Sequence, residues 1–237
     1  MLNKQADHIV KSFDEELKQL NNIIAEMGGL AEAQLDRAVE SLVRRNSDLA
    51  AQVVNDDKRI DNLETEIGSL TVRLLALRQP MAQDLREVVA AIKIASDIER
   101  IGDYAKNIAK RAIVLSGFAP MKPVATIPRM SRLALTIIKD VLDAYIAKDA
   151  EAARAAWRRD EEVDEMYNSV FREMLTYMME DPRNIGPCTH LLFIAKNIER
   201  IGDHATNVAE IVYYLVHGRS LDEARPKGDT TNVPIDG

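Results

Sequence analysis

The feature that most constrains the fold is a sixteen-residue segment that occurs twice, one hundred residues apart. Residues 94–109 and 194–209 are identical at eleven of sixteen positions, and both contain Ile-Glu-Arg-Ile-Gly-Asp followed by an asparagine four residues later. The differences include Asp97/Asn197, Tyr104/His204 and Lys106/Thr206. An internal repeat of this kind predicts that the fold is built from two copies of one unit.

Both copies have the apolar periodicity of a helix. Apolar residues recur at alternating spacings of four and three, which predicts a buried seam over about six helical turns. The seams comprise Ile94, Ile98, Ile101, Ala105, Ile108, Ala112 and Leu115, and Ile194, Ile198, Ile201, Ala205, Val208, Val212 and Leu215. At about 100° per residue, Glu99, Asp103 and Asn107 lie opposite the first seam. The sequence therefore predicts a stripe of oxygen-bearing side chains on the face away from the seam.

The prolines and the apolar pattern together predict an all-α fold. All eight prolines lie where the helical pattern breaks, which leaves six expected helices over residues 6–45, 48–78, 82–116, 127–147, 149–180 and 187–217. Short connections favour antiparallel neighbours, so each repeat is expected to be a three-helix bundle. The predicted organisation is a first bundle at 1–117, a linker at 118–126, a second bundle at 127–218 and a flexible tail at 219–237.

Composition and charge exclude several classes of protein. The chain has 237 residues, of which 46% are hydrophobic and 29% charged, as in globular proteins with one large core or two medium ones. No apolar run reaches the roughly 20 residues that cross a bilayer, and residues 1–8 lack the apolar stretch of a signal peptide. Cys188 is the single cysteine, which excludes an intrachain disulfide. We expect a cytoplasmic protein without membrane insertion and, at net charge −7, without a nucleic-acid partner.

Four pairs of acidic residues, each with a spacing of four, are the candidate functional residues. The pairs are Asp57/Asp61, Glu99/Asp103, Asp160/Asp164 and Glu199/Asp203. This spacing places both carboxylates of a pair on one helix face, about 6 Å apart along the axis. Two pairs on adjacent helices would surround one patch with carboxylate oxygens, which are the ligands that hard cations prefer. All eight residues are therefore candidate metal ligands, and a merely solvated acidic face is the alternative.

Other candidate sites carry weaker signals. A ferritin-like di-iron oxidase would need Glu-x-x-His, and none of the four histidines has a glutamate three residues before it. Cys188 and His190 suggest a nucleophile and a base, but no third orienting group is visible, and Pro187 favours a loop there. His204 could ligate a metal, although Tyr104 at the equivalent position favours an ordinary surface histidine. We predict no catalytic residue.

Taken together, these residues resemble the PhoU family, the accessory regulators of phosphate-specific transport systems. The resemblance runs from about Asp7 to His217 and includes 98–103, 198–203, the segment 78–86 and the aspartate pairs. It implies two symmetric three-helix bundles, and some family members bind multinuclear iron or other metal clusters at their E/D-x-x-x-D motifs. All eight motif carboxylates are present here, so the resemblance implies iron, manganese, magnesium or zinc as cofactor.

The resemblance also implies a biological role. PhoU proteins repress the phosphate regulon when phosphate is plentiful, by linking the ATPase of the phosphate ABC transporter to the phosphate-sensing histidine kinase. We therefore expect a non-enzymatic cytoplasmic adaptor that forms a homodimer and carries carboxylate metal sites. Two alternatives remain at this point. A carboxylate-bridged multinuclear metal enzyme would need an open coordination position, and a purely structural helical bundle would bind neither metal nor signalling partner.

Overall fold

The computed structural model describes residues 2–223, with side chains described for 13–121 and 124–223. Its α-helices are α1 Leu2–Arg44, α2 Ser47–Asp56, α3 Lys58–Arg78, α4 Ala82–Leu115, α5 Ile127–Ala147, α6 Ala150–Arg158, α7 Asp160–Glu180 and α8 Ile185–His217, with short 3₁₀ turns at Lys122–Thr126 and Pro182–Asn184. No strand occurs in this range, so the all-α prediction is confirmed. None of these helices is long and apolar enough to cross a membrane. From residue 224 onward, the predicted tail lies outside the described residues.

Two of the six predicted helices are interrupted, at equivalent places. The second is broken at Asp57, between α2 and α3, and the fifth is broken at Arg159, between α6 and α7. At each break a backbone amide bonds to the carbonyl three residues earlier, from Ile60 to Asp57 and from Glu162 to Arg159. This tighter turn interrupts the α-helix without disturbing the apolar pattern. The first aspartates of the two pairs, Asp57 and Asp160, therefore lie at corresponding helix breaks.

The turns that enter α2 and α6 are also equivalent. Arg45 and Lys148, which precede the turns, both adopt a left-handed backbone with φ 53°. Asn46 and Asp149 then cap the following helices, because each side-chain oxygen accepts a backbone N–H at 3.0 Å. Arg45 and Lys148 are 103 positions apart, and so are Asn46 and Asp149. The same offset relates Asp57 to Asp160. The repeat therefore extends from the motif to the loops.

The two bundles pack into one body. In the first, α2 and α3 cover α1 and α4, and in the second, α6 and α7 cover α5 and α8. The bundles meet where α4 packs on α8 and α1 packs on α5, and their buried apolar side chains form one continuous core. A Cβ added at Gly28 would lie 2.5 Å from Leu142 Cδ1, so this glycine allows the close approach of α1 to α5.

Equivalent residues of the two repeats face each other between α4 and α8. The rings of Tyr104 and His204, which occupy equivalent positions of the repeated motif, have centroids 5.6 Å apart. His204 Nδ1 lies 2.8 Å from Asp97 Oδ1, and Asn207 donates to the same oxygen at 3.1 Å. The prediction of an ordinary surface position for His204 is therefore wrong, because its partner residues belong to the other repeat.

Candidate metal-binding site

Each bundle brings its acidic pairs to the boundary between its second and third predicted helices. We call Asp57, Asp61, Glu99 and Asp103 the first acidic cluster, and Asp160, Asp164, Glu199 and Asp203 the second acidic cluster. In the first cluster, the two aspartates at the start of α3 face the pair on α4. The second cluster combines the start of α7 with α8 in the same way.

A glycine in the repeated motif makes room for the first aspartate of each cluster. A Cβ added at Gly102 would lie 3.5 Å from Asp57 Oδ1 and 2.9 Å from Ile60 Cδ1. A Cβ added at Gly202 would lie 3.0 Å from Asp160 Oδ1. Both glycines are buried, and the missing side chain lets α4 and α8 approach the neighbouring helices.

Half of the candidate carboxylates are buried, although the sequence placed the motif stripe on the face away from the core. The exposed fraction is 2% for Asp57, 1% for Asp160, 4% for Asp164 and 5% for Glu199. The stripe does lie opposite the apolar seam, but a neighbouring helix covers it in each bundle. For these four residues, a solvated acidic face is therefore no longer an adequate description, because burial of a carboxylate requires a compensating partner.

In the first acidic cluster that partner is a lysine from α4. Lys106 Nζ donates to Asp57 Oδ2 at 2.5 Å and to Asp103 Oδ1 at 3.2 Å, and these bonds raise the pKa of Lys106. Gln34 Nε2 donates to the other oxygen of Asp57 at 2.8 Å. Two carboxylates from neighbouring elements thus converge on one ammonium group. Sequence reasoning missed Gln34 and noted Lys106 only as a difference between the repeats.

Like-charge repulsion persists in the first acidic cluster despite Lys106. Burial raises the pKa of Glu99 to about 7, and the neighbouring Asp103 adds to this effect. The pKa of Asp61 is also raised, by burial and then by Asp57. Arg100 offsets part of the repulsion, since its Nε lies 3.4 Å from Glu99 Oε2 and its Nη1 lies 3.4 Å from Asp103 Oδ2.

The second acidic cluster has a different arrangement of charges. Lys196 Nζ donates to Glu199 Oε1 at 2.8 Å, while Glu199 Oε2 is buried without a hydrogen-bond donor among the described residues. Burial raises the pKa of Glu199 to about 7, opposed by Lys196 and reinforced by Asp203 and Asp164. Thr206, at the position equivalent to Lys106, is buried and uncharged. A bridging lysine from this position is therefore specific to the first repeat.

Both clusters have features that suit a hard cation. The Lys106 ammonium stands where a cation would contact Asp57 and Asp103, and Glu199 Oε2 is a buried acceptor that a cation would satisfy. Within residues 13–121 and 124–223, no three Asp, Glu, His or Cys side chains are gathered in a geometry that would hold one metal ion. Coordination by three or more of the carboxylates therefore requires their side chains to rotate.

The remaining candidate, Cys188 with His190, does not form a reactive pair. Both residues lie in α8 rather than in the predicted loop, because Pro187 occupies the first helical turn, where the absent N–H is not needed. Cys188 is buried, and burial raises the pKa of its thiol. His190 Nδ1 lies 3.3 Å from Arg111 Nη1. The cysteine therefore belongs to the core and is held as a thiol.

The fold and the acidic clusters define a class of all-α proteins that contain two tandem three-helix repeats, each with a carboxylate cluster. A family model described as the PhoU domain matches the chain twice, at residues 24–112 and 127–212. The chain belongs to the PhoU family, as its sequence motifs predicted.

Similar proteins match along almost the whole chain. One from Caulobacter vibrioides is named phosphate-specific transport system accessory protein PhoU homolog, and it is 53% identical over 94% of this chain and 97% of its own length. A protein of the same name from Rhizobium meliloti is 52% identical over 95% of this chain and 96% of its own. The crystal structure of PhoU from Pseudomonas aeruginosa is 40% identical, with a TM-score of 0.84 over 87% of this chain and all of that one.

Proposed function

We propose that this chain is an accessory regulator of a phosphate-specific transport system that represses phosphate-starvation genes when phosphate is plentiful. The observation that carries the proposal is the similarity to proteins named phosphate-specific transport system accessory protein, which reaches 53% identity over 94% of the chain. Another similar structure, from Streptococcus pneumoniae, is titled phosphate transport system regulatory protein PhoU, with a TM-score of 0.81. The shared fold and motifs support the same kind of role here.

The proposed mode of action is protein contact rather than catalysis. The partners are the ATPase of the phosphate ABC transporter and the phosphate-sensing histidine kinase, and the chain couples them in the cytoplasm as a homodimer. A net charge of −7 suits protein partners better than a nucleic acid. Binding should therefore be detected with the transporter ATPase or the kinase and not with DNA.

The acidic clusters are proposed as metal sites that stabilise the bundles or adjust partner binding. The eight carboxylates defined above would hold iron, manganese, magnesium or zinc. Convergence of Asp57 and Asp103 on one ammonium, and the unsatisfied Glu199 Oε2, support cation binding at these places. A bound cation would supply positive charge between helices whose carboxylates otherwise repel one another.

Deletion of the gene tests the regulatory proposal. In phosphate-rich medium, the deletion strain should express phosphate-starvation genes that the parent strain represses, measured by transcript levels or by alkaline phosphatase activity. The wild-type gene supplied in trans should restore repression, which excludes an effect on neighbouring genes. Normal repression in the deletion strain, in a genome without a second copy of the gene, would contradict the proposal.

A further inference from the structure

Lys106 lies inside the first acidic cluster in a position that only one repeat provides. Its Nζ contacts Asp57 at 2.5 Å and Asp103 at 3.2 Å, whereas the equivalent residue, Thr206, carries no charge. We propose that Lys106 is a built-in counter-ion that competes with metal in the first acidic cluster, so that the second acidic cluster binds metal first. The inference rests on the metal binding proposed above and assigns an order to the two sites.

The competition follows from distances. A manganese or magnesium ion binds carboxylate oxygens at about 2.0–2.2 Å, which is shorter than either contact of Lys106 Nζ. An ion that bridged Asp57 and Asp103 would therefore occupy the space of the ammonium group. The two cations would also repel each other strongly at that separation, because the Asp57 side chain is only 3% exposed and water screens the site poorly. An ion can therefore bind between Asp57 and Asp103 only when Lys106 turns away from them.

The second acidic cluster differs from the first at Glu199. Glu199 keeps one buried oxygen, Oε2, without a hydrogen-bond donor while Lys196 contacts its other oxygen, Oε1. A cation at Oε2 satisfies an acceptor that the protein leaves unsatisfied, and no existing hydrogen bond to that atom has to break. The first cluster differs in this respect, because both oxygens of Asp57 already accept hydrogen bonds, from Lys106 and from Gln34. A cation at Glu199 Oε2 therefore displaces no hydrogen bond from that atom, whereas a cation between Asp57 and Asp103 displaces Lys106.

The test measures Mn²⁺ binding with one cluster at a time. The double substitution Glu199→Gln/Asp203→Asn isolates the first acidic cluster, and Glu99→Gln/Asp103→Asn isolates the second. Free Mn²⁺ is followed by electron paramagnetic resonance during titration of each full-length protein. The second cluster should bind Mn²⁺ more tightly than the first, by roughly tenfold or more. Equal affinities, or tighter binding by the first cluster, would overturn the inference.

Substitutions of Lys106 then test the cause. With the second cluster disabled, Lys106→Met should raise Mn²⁺ affinity of the first cluster by roughly tenfold or more, since the competing charge is gone. Lys106→Arg keeps the charge and should keep the affinity low. Lys110→Met removes an exposed lysine one turn further along α4, and should change the affinity by less than about twofold because solvent screens it. An unchanged affinity in Lys106→Met would overturn the inference.

Thermal unfolding provides a readout that does not depend on a binding signal. Without metal, Lys106→Met should melt at a lower temperature than the wild type, because Asp57 loses its ion pair. Saturating Mn²⁺ should then raise the melting temperature of Lys106→Met by more than it raises that of the wild type. If the wild type and every variant fail to bind Mn²⁺, the proposed metal sites themselves are wrong. If the wild type binds Mn²⁺ but Lys106 has no effect, only the inference fails.

Discussion

The two acidic clusters have equivalent carboxylates but different positive charges. In the first cluster, Lys106 bridges Asp57 and Asp103, two carboxylates that belong to neighbouring elements. In the second, the position of Lys106 is taken by Thr206, and Lys196 reaches Glu199 from three residues earlier on the same helix. The motif Ile-Glu-Arg-Ile-Gly-Asp is the same in both. Two clusters with equivalent carboxylates can therefore differ in their positively charged partners, because those partners lie at positions that differ between the repeats.

Replacing the motif carboxylates of α4 and α8 should have the largest effect, and it should be seen as a loss of stabilisation by metal. A cation that binds only the folded protein stabilises it by roughly 2.7 kcal/mol at one hundred times its dissociation constant. The wild type should therefore melt at a higher temperature with Mn²⁺, iron or Mg²⁺. Each double variant should lose the part of this rise that comes from metal bound at the substituted cluster. When all four residues Glu99, Asp103, Glu199 and Asp203 are substituted, metal should not raise the melting temperature. Identical melting curves for the wild type and the quadruple variant throughout the titration would leave the clusters without a metal role.

Within the first acidic cluster, the buried aspartate should matter more than the one at its rim. Asp57→Asn removes the ion pair with Lys106 and should destabilise metal-free protein by about 1–3 kcal/mol. Asp61→Asn removes a carboxylate whose pKa is raised by burial and then by Asp57, so the change should stay within about 0.5 kcal/mol. Urea unfolding in the presence of a chelator measures both. If Asp61→Asn and Asp57→Asn lowered the free energy of unfolding equally, the ion pair between Asp57 and Lys106 would make no contribution to stability.

The second acidic cluster should make metal-free stability depend on pH. The pKa of Glu199 is about 7 in the folded protein and near 4.5 when the chain is unfolded, so the folded protein binds the proton more tightly. This contribution to stability is complete below about pH 4.5 and is lost as the pH rises through about 7. Glu199→Gln should weaken this dependence, a smaller effect than those above because Glu99 titrates in the same range. Parallel profiles of melting temperature against pH for the wild type and Glu199→Gln would contradict the assignment.

Much of the fold could be predicted from sequence because the apolar seams are long and the motif is duplicated. The seam of α4 predicted a buried helix face, and its residues from Ile94 to Leu115 are buried. The breaks at Asp57 and Arg159 could not be predicted, since a turn with bonds between residues three apart leaves the apolar spacing intact. Pro187 was misleading for the opposite reason, because a proline in the first helical turn interrupts no hydrogen bond.

The candidate site was predictable only along each helix. A spacing of four correctly placed Glu99 beside Asp103, because that relation depends on helix geometry alone. The burial of Asp57 and its bonds to Gln34 and Lys106 depend on how three helices pack, which the spacing within one helix does not contain. The available signal was the difference between Lys106 and Thr206, since a charge present in only one of two similar motifs marks a difference in their surroundings.

The contact between Tyr104 and His204 shows that the two halves of the molecule have become specific for each other. In a dimer of identical chains, a residue on the twofold axis meets its own copy and must be compatible with itself. Joining both halves in one polypeptide removes that condition, and here a tyrosine meets a histidine that also contacts Asp97. A tyrosine at position 204 would remove the imidazole that Asp97 contacts here, so this contact between the halves depends on the difference between them.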